Sequence, residues 1–178
     1  MKKVTLKDKS FKTFITADEI LKSVHQLAVK INADLKDENP LFLIVLNGSF
    51  MFASDLLKKV TIPCEISFIK LASYHGLSSS GLVNELIGLN EDVTDRTVII
   101  LEDIVDTGIT LEKIHGIVNS RKVKKIITCT LLFKPDSYKK TMKVDYAGIS
   151  IGNDFVVGYG LDYDGLGRNL EDIYVLDN

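Results

Sequence analysis

The sequence predicts an α/β fold in which an open, mostly parallel sheet carries helices on both faces. Strand-like apolar runs alternate along the chain with helical patterns or loops, the element order typical of parallel sheets. One of these runs, residues 98–101, is wholly aliphatic, as expected of a parallel strand covered on both faces. With 178 residues, 46% of them hydrophobic and 26% charged, residues 1–178 have the size and composition of one globular domain.

The first helix is predicted to begin at a capping box. Thr16 and Glu19 have the spacing of that motif, and Ile15 and Ile20 flank it as a hydrophobic staple. The apolar residues that follow share one stripe of a helix, which indicates packing against the core. They are Ile20, Leu21, Val24, Leu27, Ala28 and Ile31.

Strands are predicted further along the chain, separated by helices or loops. Their approximate positions are residues 41–46, 64–71, 82–89, 98–102, 123–133 and 144–149. A helix is predicted after the fourth of these strands, since its apolar residues recur at helical spacing. Those residues are Leu111, Ile114, Ile117 and Val118.

Three carboxylates follow the aliphatic run directly. Glu102, Asp103 and Asp106 are expected at the carboxyl end of that strand, where open α/β sheets bind ligands and where negative charges need not be buried unpaired. The turn at residues 106–110 then combines a glycine, two hydroxyls and the free backbone N–H groups of a helix start. Such a turn can hold a phosphate.

Two interpretations of this segment are open. A phosphorylated ribose would fit both halves, because Glu102 and Asp103 would accept hydrogen bonds from sugar hydroxyls or approach a divalent cation while the turn holds the 5′-phosphate. Alternatively, the segment is an acidic strand end followed by an Asp or Thr helix N-cap, with no ligand. These residues alone favour neither interpretation.

The order of residues 98–110 resembles a known signature: four hydrophobic residues, two acids, two hydrophobic residues, Asp-Thr-Gly and a hydroxyl residue. It is the phosphoribosyl-pyrophosphate motif of the type I phosphoribosyltransferases. The resemblance implies that Glu102 and Asp103 bind the ribose and Mg²⁺, and that Asp106 is the acid/base residue. It also implies that a run of five residues binds the ribose phosphate, namely Asp106, Thr107, Gly108, Ile109 and Thr110.

Two earlier segments are similar to loops of the hypoxanthine-guanine branch of this family. Asn47 and Gly48 follow an apolar run and match the first loop, whose backbone reaches pyrophosphate. Ser73 and Tyr74 match a Ser-Tyr pair on the mobile loop, or lid, that closes over the site. Taken alone, the first would be a plain turn and the second a plain surface loop.

The C-terminal part of the chain carries the residues that the resemblance assigns to the base. Lys134 matches the lysine that contacts the exocyclic oxygen of a 6-oxopurine, Phe155 the aromatic residue that stacks on the base, and Val156 the residue whose backbone reads its edge. Asp162 matches the aspartate at the base that ligates Mg²⁺, and Arg168 the arginine that meets pyrophosphate. Without the resemblance, Phe155 and Val156 would belong to a core strand. Asp162 and Arg168 would be a solvated loop pair.

These matches occur in order from residue 46 to residue 168, and the chain resembles bacterial hypoxanthine-guanine phosphoribosyltransferases. The resemblance implies a Mg²⁺-dependent purine salvage enzyme that makes IMP from hypoxanthine, and GMP from guanine, with 5-phosphoribosyl 1-pyrophosphate. It implies a homodimer or homotetramer, and a hood over the base formed by about residues 1–15 and 150–178. Adenine should be rejected, because the Lys134 ammonium has three hydrogen-bond donors and no acceptor.

Two positions depart from the better-known mammalian pattern. Asn47 and Ala72 stand where those enzymes have lysines. Both changes remove positive charge near the expected pyrophosphate. We expect them to alter affinity and kinetic order while the type of reaction stays the same.

Bulk composition argues against a nucleic-acid-binding face and a membrane span. The formal net charge is −2, and the longest basic run is the short one at residues 121–125. No apolar stretch approaches the ~20 residues of a membrane span, and the first residues are too polar for a signal sequence. We therefore expect a cytoplasmic protein with Cys64 and Cys129 as reduced thiols.

Two other functions remain as alternatives at this point. One is a regulator with the same fold that binds RNA, like the attenuators of pyrimidine operons, although such a protein needs a basic face. The other is a transferase of the same fold that acts mainly on xanthine, or on orotate.

Overall fold

The computed structural model describes residues 2–71 and 85–177. In chain order its strands are β1 (Lys3–Leu6), β2 (Lys9–Ile15), β3 (Leu41–Val45), β4 (Glu65–Leu71), β5 (Glu85–Ile87), β6 (Thr97–Val105), β7 (Lys125–Phe133), β8 (Tyr146–Ser150), β9 (Val156–Val157) and β10 (Ile173–Leu176). The helices are α1 (Ala17–Asp34), α2 (Phe50–Leu57) and α3 (Ile109–Asn119).

The main sheet has the strand order β5-β4-β3-β6-β7-β8. Strands β4, β3, β6, β7 and β8 pair in parallel, and β5 pairs antiparallel to β4 at the edge. The predicted open, mostly parallel sheet is therefore confirmed. Strand β6, which carries the acidic motif, lies in the interior of this sheet between β3 and β7.

Helices cover both faces of the sheet, as predicted. Along β3 the side chains alternate between two hydrophobic clusters, because successive residues of a strand point to opposite faces. Phe42 and Ile44 join the cluster formed with α1 and α2. Leu41 and Leu43 join the cluster formed with α3. The core thus consists of two apolar layers, one on each face.

The capping box at the start of α1 is confirmed. The Glu19 backbone N–H donates to Thr16 Oγ1, and the Thr16 backbone N–H donates to Glu19 Oε2 at 2.9 Å. The predicted stripe is wrong at Leu21, which is 41% exposed, while Ser23 is buried. Both residues lie at edges of the stripe. The Ser23 edge of α1 faces β8, where a Cβ on Gly148 would lie 2.7 Å from Ser23 Oγ.

Strand boundaries differ from the sequence prediction in one place that matters for the site. Strand β6 continues to Val105, whereas we expected it to end near residue 102. Its ladder with β7 continues as far, with Ile104 opposite Leu132 and Val105 opposite Phe133. Glu102 and Asp103 therefore lie within the strand.

A second, antiparallel sheet has the order β1-β2-β10-β9. It joins the N-terminal hairpin to the last strands of the chain, and it has a small cluster of its own made by Phe11, Val157 and Tyr174. It is the additional sheet that the family resemblance led us to expect as the hood. Strand β9 also sets the position of Phe155 and Val156, two of the predicted base-binding residues.

None of the helices described in residues 2–71 and 85–177 is long and apolar enough to cross a membrane.

Candidate functional site

A cavity of about 550 Å³ lies at the carboxyl end of β6. Residues 102–111 all line it, together with Gly48 from the loop after β3 and Lys113 from α3. The predicted carboxylates and the predicted phosphate turn therefore share one cavity. Open α/β sheets bind ligands at this edge.

Glu102 and Asp103 are the electrostatic centre of the cavity. Glu102 is 5% exposed, and its burial, together with the neighbouring Asp103 charge, raises the pKa of this carboxyl well above its ordinary value. Burial also raises the pKa of Asp103 to about 6, although the backbone N–H of Ile104 and the Arg168 guanidinium act in the opposite direction. The expectation that no carboxylate here would be buried unpaired is wrong for Glu102. Within residues 2–71 and 85–177 it is buried and forms no ion pair, because β6 continues beyond it to Val105.

The turn between β6 and α3 distinguishes the two interpretations of residues 106–110, a phosphate-binding turn or a side-chain N-cap. The N-cap of α3 is Gly108, and no side chain makes a capping hydrogen bond there. The interpretation of this segment as an Asp or Thr N-cap is therefore wrong. The first N–H groups of an α-helix have no partner within the helix, so those of α3 can serve an anion in the cavity.

The loop after β3 approaches the carboxylates closely. The Leu46–Asn47 peptide bond is cis, and Gly48 follows it. A Cβ on Gly48 would lie 1.7 Å from Asp103 Oδ2, and one on Gly160 would lie 1.9 Å from the Gly48 carbonyl oxygen. Only glycine fits at position 160, where the obstacle is backbone, and a side chain at position 48 would displace the Asp103 carboxylate. Asn47 is exposed and does not line the cavity.

Lys134 and Asp106 form an ion pair at the edge of the cavity. Lys134 Nζ donates to Asp106 Oδ2 at 3.0 Å, and Lys134 is 7% exposed while the Asp106 side chain is more open to solvent. The backbone N–H of Lys134 also donates to the Val105 carbonyl. The predicted base-selecting cation thus lies against the predicted acid/base residue, a contact that the sequence analysis did not anticipate.

The predicted stacking residue is accessible. Phe155 is 48% exposed, and its ring contacts Tyr163 edge-on, with centroids 6.1 Å apart. Val156 is buried in β9 and pairs with Val175 of β10. The Phe155 ring is therefore accessible while its neighbour is held by the second sheet. This exposure excludes a purely core role for Phe155.

Asp162 and Arg168 contact each other. Arg168 Nη2 lies 2.7 Å from Asp162 Oδ1, and the Gly165 backbone N–H donates to Asp162 Oδ2 at 2.7 Å. Arg168 Nη1 donates to the Gly160 carbonyl at 2.7 Å. Their side chains are only 28% and 29% exposed, so the pair is more enclosed than an ordinary solvated loop pair.

Three residues singled out in the sequence lie outside the described part of the chain, and one charged cavity residue was not predicted. Ser73, Tyr74 and the departure at Ala72 lie outside the described residues. Lys113 lines the cavity but was not predicted. Its position one turn after Ile109 was the available signal, because helical side chains lean towards the N-terminus of the helix.

The donor set fits a partly hydrated Mg²⁺ ion. Within residues 2–71 and 85–177, no group of three or more His, Cys, Asp and Glu side chains is arranged to hold a metal by itself. Glu102, Asp103 and Asp162 offer hard carboxylate oxygens instead. Mg²⁺ commonly takes one or two protein carboxylates and completes its shell with water and substrate phosphate.

Comparisons with known proteins agree with this geometry. The phosphoribosyl transferase domain family matches residues 13–164. The hypoxanthine-guanine phosphoribosyltransferase of Mycobacterium tuberculosis is 38% identical over 170 residues, which cover 92% of this chain and 84% of that protein. That of Streptococcus pneumoniae is 36% identical over 166 residues, covering 93% and 92%. The crystal structure of a hypoxanthine phosphoribosyltransferase from Staphylococcus aureus is similar at a TM-score of 0.87 and 36% identity, covering 93% and 91%.

We expect Asp103→Asn to stabilise the metal-free protein at neutral pH. Folding raises the pKa of Asp103 from 3.8 to about 6, so the folded protein binds this proton more tightly than the unfolded chain does. The wild type therefore loses stability relative to the neutral variant as the pH rises from about 4 to about 6. The difference should be constant above about pH 7, at about 3 kcal/mol.

Urea unfolding in EDTA at several pH values measures this difference. Asp37→Asn is the control, because Asp37 is an exposed carboxylate in the turn after α1. Parallel stability curves for wild type and Asp103→Asn over this pH range would contradict the prediction.

Proposed function

The chain belongs to the phosphoribosyl transferase family, and we propose that it transfers the phosphoribosyl group of 5-phosphoribosyl 1-pyrophosphate to a 6-oxopurine. The products are IMP from hypoxanthine, GMP from guanine, and pyrophosphate. The observation that carries this proposal is the 3.0 Å pair of Lys134 and Asp106 beside the carboxylate-lined cavity. One donor and one acceptor side by side suit O6 and N7, which are neighbours on the purine edge.

The cavity suits the phosphoribosyl group. Its acidic side, Glu102 and Asp103, would accept hydrogen bonds from the ribose hydroxyls. Its other side, residues 107–110 at the start of α3, would receive the 5′-phosphate. Positive charge develops on the ribose ring as the bond to pyrophosphate breaks, and the two carboxylates would stabilise it.

The base would be held by Phe155, Val156 and Lys134. The exposed Phe155 ring supports stacking, and Val156 supplies backbone groups at the base edge. Lys134 would donate to the 6-oxo group and reject the 6-amino group of adenine, which also donates. This arrangement does not rank hypoxanthine against guanine.

Asp106 would act as the acid/base residue. When N9 of the base bonds to the anomeric carbon, pyrophosphate leaves with the electrons of the broken bond. The proton on N7 of the base then passes to the Asp106 carboxylate. As the base binds, its 6-oxo group would replace Asp106 as the acceptor of the hydrogen bond from the Lys134 ammonium.

The leaving pyrophosphate would be met by the backbone at Gly48 and by Arg168. Asp162, with Glu102 and Asp103, would hold Mg²⁺. The ion supplies charge neutralisation that makes pyrophosphate a better leaving group. We also propose a cytoplasmic location, as expected for an enzyme that acts on these metabolites.

We expect Asp106→Ala to lower kcat by about 100-fold or more, because general acid/base catalysis contributes at least this factor. An ultraviolet-absorbance assay with Mg²⁺ and phosphoribosyl pyrophosphate, offered hypoxanthine, guanine, xanthine and adenine, measures this loss and ranks the bases. Adenine should be inert, and the exposed-carboxylate variant Asp37→Asn should retain activity. Turnover of no purine would contradict the proposal and favour the RNA-binding regulator.

We further propose that the protein self-associates, as a homodimer or homotetramer. Exposed apolar side chains on β4 support this, since Ile66 and Phe68 are 47% and 44% exposed. Size-exclusion chromatography with light scattering should give twice or four times the 19.8 kDa chain mass. A monomer at micromolar concentration would contradict this proposal.

A further inference from the structure

We infer that Tyr159 and Asp55 form a positioning pair for pyrophosphate, and this inference rests on the proposed function. The pair fixes the segment that carries Asp162 and Arg168, here called the arginine segment (residues 158–168), against the loop that contains Gly48. Neither residue lines the cavity. Their effect is therefore indirect, through the backbone that would hold pyrophosphate.

The contact itself is short and enclosed. The Tyr159 hydroxyl donates to Asp55 Oδ2 at 2.7 Å, and Tyr159 is 4% exposed within the core cluster under α1 and α2. Burial raises the pKa of this phenol, and the Asp55 acceptor adds to that effect. The hydroxyl therefore stays protonated and remains a donor.

Asp55 is a fixed acceptor. It lies in α2, and Lys58 Nζ lies 2.6 Å from its other oxygen, Oδ1. Burial acts to raise the pKa of Asp55, but hydrogen bonds from Lys58 and Tyr159 outweigh it and lower the pKa. The carboxylate is thus charged and held on both oxygens. A hydrogen bond to a charged acceptor is stronger than one between neutral groups.

The two ends of this contact lead directly to the pyrophosphate loops. On one side, α2 begins at Phe50, directly after the Gly48 loop, and the Ala53 N–H donates to the Ser49 carbonyl. On the other side, Gly160 follows Tyr159 and lies so close to the Gly48 carbonyl that no Cβ fits between them. Any shift of Tyr159 therefore moves Gly160 relative to Gly48.

Arg168 is tied to the same point. Its Nη1 donates to the Gly160 carbonyl, and its own carbonyl accepts from the Gly160 N–H at 2.9 Å. Arg168 in turn contacts Asp162. Tyr159 thus sets the distance between the backbone at Gly48 and the guanidinium of Arg168, the two groups proposed to hold pyrophosphate.

The base-binding residues are anchored separately. Val156 and Val157 pair with Val175 and Tyr174 of β10, so β9 keeps its place without the Tyr159 hydroxyl. Loss of the hydroxyl should therefore weaken binding of pyrophosphate and of phosphoribosyl pyrophosphate, while binding of the base stays unchanged. A role in general stability would affect both alike.

The chain contains a matched control for this test. The Tyr146 hydroxyl donates to Asp34 Oδ2 at 2.8 Å, joining β8 to the end of α1. Tyr146 begins β8, at the end of the parallel sheet opposite to the cavity. Tyr146→Phe removes the same kind of tyrosine–aspartate hydrogen bond without touching the pyrophosphate loops.

The experiment compares Tyr159→Phe, Tyr146→Phe, Asp55→Asn and Asp55→Ala with the wild type. Calorimetry measures the affinity for pyrophosphate with Mg²⁺, and steady-state kinetics measure kcat and both KM values. Tyr159→Phe should weaken pyrophosphate binding by about fivefold, and raise KM for phosphoribosyl pyrophosphate by a similar factor. KM for hypoxanthine and kcat should change by less than about twofold. Asp55→Asn keeps an oxygen acceptor, so it should lie closer to wild type than Asp55→Ala does.

Two contrary outcomes are distinguishable. If the wild type binds pyrophosphate and Tyr159→Phe binds it as tightly as Tyr146→Phe does, the positioning pair is wrong and the proposed function stands. If the wild type itself neither binds pyrophosphate nor turns over a purine, the proposed function fails, and this inference fails with it. Unfolding curves of both phenylalanine variants are the stability control: if both lose the same stability, a difference between them in pyrophosphate binding has another cause.

Discussion

The burial of Glu102 and Asp103 in an interior strand of a parallel sheet is the constraint on which the site depends. Burial raises the cost of ionising both carboxyls, and the Asp103 charge adds to that cost for Glu102. Within residues 2–71 and 85–177, no Lys or Arg nitrogen forms an ion pair with either group. Asp106 and Asp162, in contrast, each have a cation of their own, Lys134 and Arg168. The centre of the site is therefore short of positive charge.

The lack of an ion-pairing cation beside Glu102 and Asp103, in the part of the chain that the structure describes, indicates what kind of ligand the site suits. A ligand that brings a divalent cation and sugar hydroxyls would satisfy the central carboxyls, while its phosphate would meet the start of α3. The Lys134–Asp106 and Arg168–Asp162 ion pairs lie at the edge of the site. There the base edge would bind in place of one contact, and the leaving pyrophosphate in place of the other. Gly48 and Gly160 let the backbone close around Asp103 without a side chain between them. In the proposed function, the same few contacts would serve both binding and chemistry.

Local sequence patterns predicted much of this arrangement, and long-range contacts account for what they missed. The aliphatic run before Glu102 and the capping box at Thr16 are local signals, and the strand and the helix start both formed, although β6 extends beyond its predicted end. The burial of Ser23 instead of Leu21 accompanies a long-range contact, since Ser23 lies close to Gly148 on a distant strand. The Lys134–Asp106 and Tyr159–Asp55 contacts join residues 28 and 104 positions apart. No spacing rule reports such pairs, because the folded sheet alone brings them together.

The central claim is that a divalent cation must complete the charge balance around Glu102 and Asp103 before the substrate binds well. Calorimetric titration of phosphoribosyl pyrophosphate with and without Mg²⁺ tests this directly, in the wild type and in a Glu102→Gln, Asp103→Asn double variant. We expect that omitting Mg²⁺ weakens binding to the wild type by about tenfold or more, and that the double variant loses most of this dependence. Equal Mg²⁺ dependence in both proteins, or none in the wild type, would contradict it.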